Sequence, residues 1–77
     1  MSLRGYSYRL VKAVQAANPD LIGVQLGRHC IANDIPVWEI AEEFSVSRMS
    51  VYSWFTGASK PHPRKAESIE KFLKKHQ

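Results

Sequence analysis

The chain has a single cysteine, Cys30, among 77 residues. One thiol closes no internal disulfide and anchors no zinc site, which takes about four ligands at close spacing. It suits a reducing compartment, so the expected location is cytoplasmic. No apolar run approaches the ~20 residues that cross a bilayer. The first residues, MSLRGYSYRLVKAV, carry neither a long apolar core nor a small-residue cleavage site, so they do not read as a secretory signal. The four glycines form no phosphate-cradling loop. His29, His62 and His76 are scattered. His29 and Cys30 adjoin, but neighbouring helical residues diverge around the axis and make no nucleophile pair. No catalytic residue, metal, cofactor or small-molecule ligand is expected, and the chain does not read as an enzyme.

Carboxylates are missing from one particular stretch. Asp34 to Val46 holds four acids (Asp34, Glu39, Glu42, Glu43) and no base; Ser47 to Lys65 holds Arg48, Lys60, Arg64 and Lys65, with His62, and no acid. With a formal net charge of +4, a nineteen-residue stretch free of negative charge suits contact with a polyanion.

What is present is helical. Tyr6, Leu10, Val14 and Ala17 recur at helical spacing and predict a first helix over Ser7–Ala17. Asn18-Pro19-Asp20 then reads as the start of a second helix, with Asn18 as N-cap and Pro19 in the first position, running to Ala32. Ile22, Leu26 and Cys30 line its inner side, with His29 at the core edge. Gly23 and Gly27, four apart, offer a ledge for close packing of another helix. Pro36 opens a third helix with Trp38, Ile40, Ala41 and Phe44. Ser45-Val46-Ser47 is a hinge, and Ser47 caps a fourth helix from Arg48 to Phe55, stopped by Gly57. Ala58 to Pro63 is a loop. Arg64 to Lys75 is the last helix, with Ala66, Ile69, Phe72 and Leu73 inward. The fold class is therefore all-α: one compact bundle of about five short helices.

The third and fourth helices form a pattern of their own. Ala41 is small where a second helix approaches. Ile40, Phe44, Val46, Val51 and Trp54 close a shared core, and the outer side of the fourth helix is polar. That layout is a helix-turn-helix. Glu39-Ile40-Ala41, Ser45-Val46-Ser47, Val51, Trp54 and Gly57 together resemble the lambda-repressor/Cro-like, or XRE, helix-turn-helix family. The resemblance is strongest over residues 35 to 61 and extends to the core 19–77; residues 1–18 are an additional N-terminal helix. Two positions depart from the family: Ser45 stands at a hinge position usually held by glycine, and Val37 where a phosphate-binding glutamine often stands. Trp38 is large for an outward position and is a candidate to pack on the N-terminal helix.

The resemblance implies a transcriptional regulator, a small bacterial or phage repressor, whose fourth helix enters the major groove of double-stranded DNA. Arg48, Met49, Tyr52 and Ser53 would then face the bases. Ser47, Ser50, Thr56, Lys60, His62, Arg64 and Lys65 are the candidates for phosphate contact. A homodimer on two half-sites is the natural partner arrangement. Tyr6, Tyr8, Leu10 and Val14 could build its seam or complete the monomer core, the latter being favoured in so small a chain. Two further readings fit the same residues. One is a protein-interaction module, docking a partner such as a polymerase subunit through Trp38, Met49, Tyr52 and Phe55. The other is a DNA-binding accessory or antitoxin component of a larger assembly.

Overall fold

Ser7 opens the first helix of the computed structural model, which describes residues 6–76. Its backbone is extended, and its Oγ accepts from the Leu10 amide at 3.1 Å, satisfying one donor that a helix start leaves free. Helix α1 (Tyr8–Ala16) turns Val11 and Val14 inward. Just ahead of it, buried Tyr6 donates its hydroxyl to the Ile35 carbonyl. The N-terminal helix is thus part of the monomer core, while Tyr8 stays exposed beneath the Lys12 ammonium.

Helix α2 (Ile22–Ala32) begins later than the sequence suggests. Asn18 does not cap it. Its Oδ1 accepts from the Asp20 amide at 2.9 Å and its carbonyl from Leu21 at 3.2 Å, so Asn18-Pro19-Asp20 closes a turn. Asparagine followed by proline satisfies a turn as well as a helix start, and here the turn is formed. Leu21 takes the N-cap position without any side-chain cap.

Helix α3 (Val37–Glu43) also starts one residue later than expected, with Pro36 extended at its N-cap. The ends of α2 and α3 share one design. After α2, Asp34 is left-handed (φ 59°) and the Ile35 amide donates back to Cys30; after α3, Ser45 is left-handed (φ 55°) and the Val46 amide donates to Ala41, both at 2.9 Å. Each is a Schellman closure with a polar non-glycine residue in the left-handed position. Ser47 then caps helix α4 (Arg48–Thr56), and Gly57 ends it at φ 79°, where a Cβ would be strained. Helix α5 (Pro63–Lys75) is capped by His62, whose Nδ1 accepts from the Arg64 amide at 3.2 Å, with Pro63 in the first turn.

Among the described residues there are five helices and no strand, with one core between them. The Cα radius of gyration, 11.2 Å, is that of a compact chain of this length, for which about 11–12 Å is expected. Helices α2 and α4 form the most extensive pair, and α4 also packs on α1 and α3. The glycine ledge makes the α2–α4 contact close: a Cβ on Gly27 would lie 2.9 Å from Cγ of Phe55. No described helix is long and apolar enough to cross a membrane.

Candidate nucleic-acid interface

Helix α4 is divided lengthwise. Val51, Trp54 and Phe55 face the core, Phe55 and Val51 without any exposed surface. Arg48, Met49 and Tyr52 face outward, and Ser50, Ser53 and Thr56 are half-buried at the margins. Four-residue spacing sets Arg48, Tyr52 and Thr56 in one row and Met49 and Ser53 in the next. Met49 is 75% and Tyr52 39% exposed, high for residues with so much apolar surface. The outer side therefore offers one cation, a thioether, a phenol and hydroxyls, and no carboxylate.

Hydrogen bonding decides which of these groups remain available. Ser47 Oγ accepts from the Ser50 amide and donates to Ser50 Oγ, both at 3.1 Å, so its only proton is engaged in the cap while Ser50 keeps its own. Thr56 Oγ1 donates to the Tyr52 carbonyl at 3.0 Å, which engages its only proton in the helix itself. Because His62 Nδ1 is an acceptor, its Nε2 is the nitrogen left to donate outward.

The cations divide in the same way. Lys65 reaches under the hinge and donates its ammonium to the Phe44 carbonyl, at the last turn of α3. Arg28 donates to the Gln15 carbonyl at 2.9 Å, joining α2 to α1. By contrast, Arg9, Arg48, Lys60 and Arg64 are exposed, and among the described residues their head groups have no intramolecular partner. Lys60 follows Ser59, whose amide donates to the Ser53 carbonyl of α4 at 3.3 Å, and lines a small cavity with Asp20, Leu21 and Ile22. The 58–62 loop thus leaves from the C-terminal half of α4 and passes the start of α2.

Two neighbours of the outer side lie outside the base- and phosphate-contact candidates read from sequence, although the protein-docking reading groups Trp38 with Met49 and Tyr52. Trp38 is 49% exposed and lines a shallow cleft with Pro36, Val37, Arg48 and Tyr52, at the α4 side of α3. Its size suggests packing on the N-terminal helix, but the cleft it lines is formed with residues of α3 and α4. Arg9 lies on a groove shared with Tyr52 and Thr56. No local pattern reveals it, because the contact joins residues more than forty apart.

The four-residue docking surface of the interaction reading is not assembled. Trp38, Met49 and Tyr52 are exposed, but Phe55 is wholly buried against Gly27. Its position in α4, between Val51 and the Gly57 stop, places it on the same side as Val51. Away from α4, burial first and then Glu39 push the Cys30 thiol up to about 12, and burial raises the Tyr6 phenol well above its usual range. Both groups are therefore neutral packing elements near pH 7. Among the described residues no cluster of three or more His, Cys, Asp or Glu side chains is placed to hold a metal ion. Comparison with family models, with curated proteins and with solved structures finds no match to this chain.

Proposed function

We propose that this chain is a sequence-specific double-stranded DNA-binding domain that regulates transcription, a small repressor of bacterial or phage kind. In this reading α3, the hinge and α4 act as a helix-turn-helix in the manner of the lambda-repressor/Cro-like family, and α4 enters the major groove. The observation that carries it is the lengthwise division of α4: three side chains anchored in the core, and an outer side that bares Arg48, Met49 and Tyr52 and carries no carboxylate, with Arg48 unpartnered among the described residues.

Arg48 stands in the first turn of α4, the end that leads into the groove. A bidentate contact from its guanidinium to guanine gives ~1–3 kcal/mol of base discrimination. Met49 and Tyr52 supply surface for thymine methyl groups and base edges, and Ser50 and Ser53 supply hydroxyls. Lys60, Arg64 and His62 Nε2 are the phosphate donors. Lys65 and Thr56 are secondary, because their donors already hold the hinge and the helix. A domain of this size reads only a few base pairs, so the working species is a homodimer on half-sites ~34 Å apart.

Selection of bound sequences from random duplex DNA tests the reading. The expected result is an enriched palindromic motif, with Arg48→Ala losing preference at one base pair of each half-site. A pool that stays unenriched through successive rounds refutes it and favours a protein partner docking on Trp38, Met49 and Tyr52.

A further inference from the structure

Helix α1 lies against the same helix that carries the proposed reading surface, and a groove of about 520 Å³ runs between them. Ser7, Arg9, Leu10 and Ala13 line it from α1, and Tyr52 and Thr56 from α4. Resting on the DNA-binding reading, we propose that this groove seats the sugar–phosphate strand at the edge of the major groove, with Arg9 contacting a phosphate.

Geometry gives the first reason. The major groove is ~12 Å wide, and one helix with its side chains is ~10–12 Å across. Two helices packed together lie ~8–10 Å apart, so α1 cannot enter beside α4. It rests over the backbone that bounds the groove, on the Tyr52–Thr56 side. Chemistry gives the second. Leu10, Ala13 and the flank of Tyr52 form a largely apolar wall, suited to deoxyribose carbons. At the rim stands a guanidinium with no partner among the described residues. Ser7 Oγ accepts from Leu10 and keeps its proton for a phosphate oxygen. Among the described residues no carboxylate lines the groove to repel the strand. The N-terminal helix then has two roles: its inner side completes the core and its outer edge extends the footprint.

The test measures binding of the full chain to the selected duplex by fluorescence anisotropy between 50 and 200 mM salt, for the unaltered protein, Arg9→Ala, Arg9→Lys and Ala13→Glu. Arg9 and Ala13 are exposed, so all variants should keep the helical circular-dichroism spectrum. One lost phosphate contact lowers the salt slope by about 0.9, so over this fourfold rise the unaltered protein should weaken about 3.5-fold more than Arg9→Ala. Base preference should not change, Arg9→Lys should retain most of the slope, and Ala13→Glu should bind more weakly by repelling the strand. If Arg9→Ala and Ala13→Glu keep the parent slope and affinity while Arg48→Ala loses base preference, the groove proposal fails and the reading of α4 stands. If the unaltered protein binds no duplex, both fail.

Discussion

The carbonyl oxygen of Trp54 occupies the space beside Gly23 where a side chain would begin: a Cβ there would stand 2.7 Å away. The α4 backbone thus rests directly on the surface of α2. It cannot readily retreat, because the next residue, Phe55, is fully buried over Gly27. Replacing Gly23 with alanine gains up to about 1 kcal/mol of helix preference. The clash is with backbone, however, and overpacking of this kind costs ~1–3 kcal/mol. Gly23→Ala should therefore lower stability by about 1–2 kcal/mol net, read as a lower urea midpoint at unchanged slope. A raised midpoint would mean that α4 shifts without penalty.

Ser45 makes the opposite prediction. Its left-handed backbone carries roughly 1 kcal/mol of strain that glycine lacks, partly offset by the greater freedom of glycine in the unfolded chain. Ser45→Gly should stabilise the protein by up to about 0.5 kcal/mol and raise the thermal midpoint by a few degrees. Ser45→Ala should give no such gain. Equal midpoints for all three would show that the hinge strain is relieved elsewhere.

Lys65 and Lys60 carry the same charge in different settings, one bonded to the Phe44 carbonyl and the other exposed. Lys65→Met removes the ammonium from the Phe44 carbonyl and should cost about 1 kcal/mol of stability, since the bond is charge-assisted but partly solvated. It should leave the salt dependence of DNA binding nearly unchanged. Lys60→Ala should do the reverse, with full stability and a salt slope lower by about 0.9. Chemical denaturation and salt titration of the two variants decide the assignment; interchanged results would overturn it.

Cys30 sets a limit on alkaline stability. Burial raises its thiol from 9.0 to about 12, so the folded protein holds this proton more firmly than the unfolded chain. Its stabilising effect is complete below pH 9 and falls as pH climbs toward 12. Tyr6, raised from 10.0, acts in the same direction. Urea midpoints at pH 8, 9.5 and 11 should decline, and less steeply in Cys30→Val. At pH 8 a disulfide reagent should label Cys30 only after denaturation. Rapid labelling of the folded protein would contradict the burial.

Most of this architecture was legible because it is written in local signals. Ser47, Gly57 and the apolar spacing in α5 act within one or two helical turns, and the structure places α4 and α5 within a residue of the expected bounds. The glycine ledge on α2 was also readable, since spacing of four puts both residues on one side. Errors arose where a signal served two structures: Asn18-Pro19 fits a turn as well as a helix start. For the candidate interface, the outward placement of Arg48, Met49 and Tyr52 follows from helical period. What period cannot reveal is the partner of each polar group. The engagement of Lys65 with Phe44 joins residues 21 apart, and Arg9 borders Tyr52 only through packing of α1 on α4.

The lengthwise division of α4 has one last consequence. Everything that fixes its pose (the two-glycine seat, the serine at its head and the three inward side chains) leaves Arg48, Met49, Tyr52 and Ser53 outside the scaffold's requirements. If α4 reads DNA as proposed, those four letters can be rewritten to readdress the domain to another sequence without asking the rest of the chain to refold.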